Sequence, residues 1–521
     1  HYYGTRIEEN RIQQIFDSNL AFHSESYPAF GIYSYNDKAM QVTHGDGNMS
    51  LDLAVESVKQ YTVAEAEITE ILLKDKVYPF FVKQCYKAYK NSDVIGTWVE
   101  VTNQEKKPVT MYKFASAFIP VRRGDNWLTH FHGTWGAENM LQEERLTDGQ
   151  KIIKNEDGVR NTTNENPSFM LTLDGKPQEE TGHVFGASLA WSGNYTLKLD
   201  VDNNRIIKIY AGINEDASYY TLDPKKTFVT PEFAMTYSTT GKGGVSRNFH
   251  RWARMYKFSH ADSDRDILLN SWEGVYFKVD QEVMAQMMKD MSQLGGELFV
   301  MDDGWFGDKY PRDGGSTSLG DWVVCKKKLP QGIEGLIASA KKCGIKFGLW
   351  IEPEMVNSKS ELYEKHPDWI ICQDNRTPTT GRGGTQMILD LSNPKVQDFV
   401  FGVVDNLMTN YPEIAYIKWD ANASIMNYGS YYLPKDRQSH LYIEYHKGLN
   451  NVLERIRTKY PHLLMQACAS GGSRVNYGLL PYFGEFWTSD NTDAYQRIYM
   501  QWGVSNFYPA IAMASHVSAD K

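Results

Sequence analysis

The sequence predicts a multidomain fold, with an N-terminal β-sandwich over residues 1–240, a linker helix within 241–265 and a (β/α)8 TIM-type barrel over 266–521. Three observations lead there. The 521 residues, at 59.6 kDa, exceed what one hydrophobic core ordinarily organises. Up to about residue 240 the chain shows period-two alternation and turn signals but no strong helical period. From Asp266 onward, short apolar runs alternate with helix-like segments, the pattern of parallel strands joined by crossover helices.

In the first part, residues 50–58, 62–73, 96–101 and 195–210 alternate apolar with polar side chains and are rich in Val, Ile, Thr and Tyr. Such runs fit a half-buried pleated surface. Gly45-Asp46-Gly47-Asn48, Asp148-Gly149, Asp157-Gly158 and Asp202-Asn203-Asn204 supply the turns. The polar stretch 155–167 reads as an exposed loop. Gly241-Lys242-Gly243-Gly244 marks a boundary, and 246–255 reads as a helix. The second part offers eight strand candidates, 267–270, 298–301, 347–351, 387–391, 415–419, 463–467, 485–488 and 508–512. Helices fall between several of them. One spans 281–294 and stops at Gly295-Gly296; another spans 333–343 and stops at Gly344. Asn393-Pro394 opens a third through Met408, with proline in the first turn, and 441–460 carries another apolar stripe. The competing architecture is an open doubly wound sheet. It usually carries a phosphate loop after its first strand, whereas Gly241-Lys242-Gly243-Gly244 lacks the Ser or Thr that must follow Lys.

Composition narrows the function. With 41% apolar and 13% aromatic residues the chain can bury a large core, which excludes a mainly disordered protein. No run approaches the ~20 uncharged apolar residues of a membrane helix. A formal charge of −9 and a pI near 5.9 argue against nucleic acid as a partner. The five cysteines are scattered and form no Cys-x-x-Cys, so neither a disulfide framework nor a zinc ribbon is expected. His130 and His132 share one strand face but lack an evident third ligand, and no metal or cofactor is expected. The chain opens at His1 without an initiator Met or signal peptide, which suggests a start inside a longer protein and says little about compartment; a soluble protein of the cytoplasm or periplasm is the expectation.

In a barrel, chemistry sits at the C-terminal ends of strands. Here those ends carry Asp302-Asp303-Gly304-Trp305, Trp350-Ile351-Glu352-Pro353-Glu354, Lys418-Trp419-Asp420-Ala421-Asn422, Cys468-Ala469-Ser470-Gly471-Gly472 and Ser489-Asp490-Asn491-Thr492-Asp493. A mouth ringed by carboxylates and tryptophans suits glycoside hydrolysis, which needs one carboxylate as nucleophile or base and another as acid. Lys418 and Asp420, two apart on a strand, point to one side, so the ammonium would keep Asp420 ionised. A barrel-closing ion pair is the structural alternative. Asp490 is placed to donate a proton across the mouth, against a plain helix-capping role. Asp302 and Asp303 could hold sugar hydroxyls or a metal. Glu352 and Glu354 form the competing catalytic pair, ranked second because Pro353 marks a tightly built strand end.

These motifs resemble the α-galactosidases of glycoside hydrolase family 36. The resemblance rests on Asp302-Asp303-Gly304-Trp305-Phe306-Gly307, Trp350-Ile351-Glu352-Pro353-Glu354-Met355-Val356, Lys418-Trp419-Asp420-Ala421-Asn422 and Trp487-Thr488-Ser489-Asp490-Asn491-Thr492-Asp493-Ala494, in that order. It implies a retaining exo-hydrolase that releases terminal α-linked galactose from oligosaccharides such as melibiose or raffinose. By the same resemblance Asp420 is the nucleophile and Asp490 the acid/base. Asp302 and Asp303 hold the 4- and 6-hydroxyls, Trp272 and Trp350 wall the sugar pocket, Lys418 and Asn422 touch further hydroxyls, and Cys468 and Gly471 read position 2. A homotetramer is implied as well.

The sequence departs from the family pattern in places. Cys468-Ala469-Ser470-Gly471-Gly472-Ser473-Arg474 stands where the family has Cys-Ser-Gly-Gly-Gly-Gly-Arg. Ala421 and Ala423 replace Met and Arg, and Gly384 stands where an Arg is common, with Arg382 nearby. These changes cluster at position 2 and the aglycone side. They put the exact substrate in doubt, not the chemistry, so an α-N-acetylgalactosaminidase and a galactosyl transferase stay open. A sugar-binding protein on a decayed barrel is the reading from another class, and the presence of both Asp420 and Asp490 argues against it. The chain is also expected to be a fragment, lacking the first strands of the sandwich and everything after the eighth barrel strand.

Overall fold

The computed structural model describes residues 25–31, 36–122, 124–202 and 206–518. Two sequence expectations lie wholly or partly outside them, the first residues of the sandwich and the centre of the Asp202-Asn203-Asn204 turn.

Among the described residues, the N-terminal part is built of β-strands. Leu53–Thr62, Ala66–Asp75, Phe80–Tyr89 and Val94–Asn103 pair in succession, all antiparallel. The sheet continues through Phe233–Ser238, Val184–Leu189, Ser168–Thr172, Trp127–Phe131 and Leu141–Arg145. A four-stranded sheet holds Gly149–Asn155, Tyr195–Val201, Ile206–Ile213 and Ala117–Arg122. Both sheets send side chains into one core, with Val82, Val99, Leu128, Leu171 and Phe185 from the first and Leu197, Leu199, Ile209 and Phe118 from the second. The alternation seen in sequence is the cause: in Tyr195–Val201 every second residue is buried.

The boundary glycines open a helix. Gly241–Trp252 begins five residues before the predicted 246, with Gly241 at φ +70°. A Cβ on Gly244 would come 1.9 Å from Ser238 Oγ, so only glycine lets this helix lie so close to the sheet. Val245, Phe249 and Trp252 then join the core of the second part.

There, among the described residues, six strands form one parallel sheet in chain order: Leu268–Asn270, Leu298–Met301, Lys346–Ile351, Ile414–Trp419, Leu464–Ala467 and Glu485–Phe486. The helices Gln281–Gln293, Gly332–Lys342, Pro394–Asn410, Leu441–Lys459 and Ala494–Ser505 alternate with them. Asn393 caps its helix ahead of Pro394, as predicted. The sheet curves as a half-barrel, and a single parallel bridge from Phe486 to Met513 extends it.

Two of the eight predicted strands fall elsewhere. In place of 387–391, Gln386–Ile388 pairs antiparallel with Met355–Asn357, outside the barrel sheet. Lys346–Ile351 instead pairs directly with Ile414–Trp419, setting Trp350 opposite Lys418. A short apolar run fits any buried strand, and its periodicity does not name the partner. The predicted strand 508–512 holds the 3-10 turn Ala510–Ala512 behind Pro509, which lacks the N–H a ladder needs.

The expected exposed loop at 155–167 is also corrected. Val159, Asn161, Thr162 and Asn166 are buried against the barrel mouth. Thr162 N–H donates to Ser473 O at 2.8 Å, Thr162 Oγ1 to Gly472 O at 2.9 Å, and Asn166 Nδ2 to Val475 O at 2.9 Å. The polar side chains serve the barrel loop's backbone rather than water.

Candidate active site

The floor of the mouth is Asp420, directly after Ile414–Trp419 and only 7% exposed. Its N–H continues the ladder to Ile351 O at 2.9 Å. Four donors converge on the carboxylate. Oδ1 accepts from Ala421 N–H at 2.8 Å and Ser470 N–H at 3.3 Å. Oδ2 accepts from Asn422 Nδ2 at 2.8 Å and Trp350 Nε1 at 3.2 Å. Burial pushes the Asp420 carboxyl up, but the charges of Lys418 and Arg382, with the Asn422 and Ala421 donors, outweigh it and hold it below the ordinary value.

Lys418 does so from a different seat than expected. Its ammonium hydrogen-bonds Asp302 Oδ2 at 2.9 Å, so the ion pair runs to the Leu298–Met301 strand end, not along its own strand to Asp420. The same Asp302 oxygen accepts from Asn270 Nδ2 at 2.6 Å, and Oδ1 from Asp303 N–H at 2.8 Å. Asp303 is gripped at both oxygens by Arg312, at 2.9 and 2.8 Å. Asp302 Oδ2 thus accepts two bonds, while Asp302 Oδ1 and both Asp303 oxygens can each accept a further one.

The two glutamates of the competing pair separate clearly. Glu354 receives both Arg474 guanidinium ends at 2.7 and 2.8 Å, Tyr445 Oη at 2.5 Å and Trp419 Nε1 at 2.8 Å. It is a satisfied ion pair inside the wall. Glu352, fully buried, sits beside Asp420, and burial together with the Asp420 charge pushes its carboxyl up to about 8.

The rim is Asp490. It is exposed and bracketed by two indoles: Trp487 Nε1 donates to Oδ1 at 2.9 Å and Trp135 Nε1 to Oδ2 at 3.3 Å. Trp487 also lies under Lys418, whose Nζ is 5.2 Å from the ring centroid, and so links rim to floor. Asn422 accepts Ser470 Oγ at 2.7 Å. Cys468 is buried, and burial pushes its thiol well up. Gly471, at φ +90°, is pinned: a Cβ there would meet Glu138 Oε1 at 2.5 Å and Asp490 N at 2.7 Å. Trp272 is half-buried, with its edge against Tyr276 and Phe277. Trp350, expected in the pocket wall, is only 1% exposed and gives its N–H to Asp420.

Sequence reasoning missed Trp135, Glu138, Asn270 and Arg312. Trp135 and Glu138 come from the β part; Glu138 accepts Ser489 Oγ at 2.6 Å and Gly472 N–H at 3.2 Å. No local pattern marks them, because their partners lie more than 330 residues away.

Two family models match the chain, one described as Melibiase over residues 227–521 and one as the Glycosyl hydrolase family 36 N-terminal domain over 1–223. The chain belongs to glycosyl hydrolase family 36. Among family 36 proteins, α-galactosidase AgaA of Geobacillus stearothermophilus is 35% identical over 512 residues, 95% of this chain and 69% of AgaA. α-Galactosidase Mel36A of Lactobacillus acidophilus is 33% identical over 543 residues, 99% of this chain and 73% of Mel36A. Solved AgaA variants in complex with stachyose and raffinose superpose with TM-scores of 0.91 and 0.90 at 34% identity, covering 95% of this chain and 70% of theirs.

Proposed function

We propose that this family 36 chain is a retaining α-galactosidase that releases terminal α-linked galactose from oligosaccharides of the raffinose type. The observation that carries the reading is the unequal pair across one mouth: Asp420 buried, ionised and fixed by four donors, Asp490 exposed at the rim. A retaining hydrolase needs this division of roles.

Asp420 attacks the anomeric carbon as the bond to the glycosidic oxygen breaks, and Asp490 supplies the proton that the departing oxygen takes. Asp490, now ionised, removes a proton from water as that water attacks the same carbon; the ester to Asp420 breaks and galactose leaves with its α configuration. Asp302 and Asp303 receive the 4- and 6-hydroxyls, Lys418 and Asn422 further hydroxyls, and Trp272 the apolar sugar face. Cys468 and Gly471 face position 2. Packing there supports galactose over N-acetylgalactosamine, because Cys468 and Ala469 are buried and the Glu138–Asp490 layer leaves no room even for a Cβ on Gly471.

No described helix is long and apolar enough to cross a membrane. A homotetramer working in the cytoplasm or periplasm belongs to the proposal, and sedimentation would measure the assembly. The deciding experiment compares nitrophenyl α-galactoside with its 2-acetamido analogue and follows the first product by proton NMR. Faster turnover of the galactoside with α-galactose appearing first is expected. A higher kcat/KM on the acetamido sugar would reassign the substrate, β-galactose first would exclude retention, and no turnover of either would leave only a sugar binder.

A further inference from the structure

We propose that Glu352 is a positioning residue for this reaction, a carboxylic acid that keeps its proton beside ionised Asp420 and holds Asp420 in place through Asn422. The inference rests on the reading of Asp420 as the nucleophile.

The geometry comes first. Glu352 ends the run out of Lys346–Ile351 and is fully buried. Its Oε1 accepts from Asn422 N–H at 2.5 Å and from Gln386 Nε2 at 2.7 Å. Asn422 in turn donates its side-chain amide to Asp420 Oδ2 at 2.8 Å. Glu352 therefore fixes the backbone of the residue that fixes the nucleophile. The other oxygen, Oε2, is buried without a hydrogen-bond partner among the described residues, and so is Gln386 Oε1. Two bare acceptors in one carboxyl–amide pair lack a donor. A proton on Oε2 supplies that donor, whereas an ionised carboxylate has none to give.

The surrounding charges agree. Asp420 faces Glu352 from the neighbouring strand end, Arg382 from the Arg382–Thr385 turn and Arg312 from the loop after Leu298–Met301. Arg312 is committed to Asp303 through two bonds. Arg382 is exposed and shared among Glu352, Asp420, Asp303 and Asp490. Lys418 is paired with Asp302. Arg382 is the cation that favours ionised Glu352, and burial with the Asp420 charge outweighs it. Burial and the Asp420 charge raise its carboxyl, while Asp420 is lowered. Two neighbouring carboxyls pushed apart in this way divide one charge between them. A second charge here would raise the proton affinity of Asp420 and draw Arg382 away from it.

Glu352→Gln tests this, because glutamine copies the protonated acid with one acceptor and one donor. At pH 6 to 7 the variant should keep kcat/KM within about threefold of the parent, and it should lose an alkaline inflection near pH 8. Glu352→Ala, which drops the Asn422 contact, should lower kcat by about tenfold or more with little change in KM. An infrared band of a protonated carboxyl should be present at pH 7 in the parent and missing from Glu352→Gln. Loss of more than about a hundredfold at pH 6 by a folded Glu352→Gln would overturn the proposal. So would an unchanged alkaline inflection or the absence of the infrared difference. Failure of azide to rescue Asp420→Asn would remove the nucleophile reading while leaving the infrared result intact, so the two failures are distinguishable.

Discussion

Asp420 and Asp490 face one mouth and are held in opposite ways. Every donor to Asp420 belongs to the barrel part, from Trp350, Ala421, Asn422 and Ser470, and the group is almost out of solvent. Asp490 is exposed and has two indole donors, one from its own strand end and one, Trp135, from the β part. A nucleophile gains from a fixed position and a fixed charge, whereas an acid/base must trade protons with water. The floor is thus an intrinsic product of the barrel, and the rim is assembled between the two parts of the chain.

The largest expected effect breaks the floor. Asp420→Asn should lose at least about 10⁴-fold in kcat, roughly 5.5 kcal/mol of barrier. Azide should restore part of it and give β-galactosyl azide, and parent-like turnover would refute the assignment. Arg474→Met attacks the scaffold below the floor. It leaves Glu354 buried and unpaired, which should cost about 3–5 kcal/mol in a denaturant titration. A shift under about 1 kcal/mol would show that Tyr445 and Trp419 satisfy the carboxylate alone.

At the rim, Asp490→Ala should depend on the leaving group. Raffinose hydrolysis should fall about 10²–10³-fold, and that of an activated aryl galactoside far less. Equal losses would exclude proton donation. A pH scan separates the glutamates. The folded protein binds the Glu352 proton up to about 8, well above the ordinary glutamic value, so this group makes stability fall as pH rises through that window. Glu352→Gln should flatten that decline; Glu354, held low by Arg474, acts oppositely and loses its contribution as pH falls. The smallest change is Trp135→Phe, which removes one indole donor to Asp490 and should cost about 0.5–1.5 kcal/mol of barrier, seen in kcat on raffinose. No change in kcat would mean that the β part merely covers the rim.

The sequence by itself determined the β-to-barrel order, most strands and helices, and the polar clusters at strand ends. Those are local signals: alternation in 195–201, the Asn393-Pro394 helix start, and Lys418-Trp419-Asp420 closing an apolar run. Tertiary structure alone decided the partners. Lys418 pairs with Asp302, 116 residues away, rather than Asp420 two residues away. Gln386–Ile388 pairs with Met355–Asn357 outside the barrel sheet while Lys346–Ile351 pairs with Ile414–Trp419, and parts of the polar stretch 155–167 are buried where the barrel loop offers backbone partners. Glu352 and Glu354 are the sharpest case. They lie two residues apart in one motif, yet one is paired directly with Arg474 and Tyr445, while the other bonds Asn422 and Gln386 and feels the charge of Asp420 more strongly than those of Arg382 and Arg312. Residue type and strand position can be read from a string of letters. Which charge a buried carboxyl faces depends on chain folded in from elsewhere, and in a low-dielectric interior that neighbour decides whether the group is ionised.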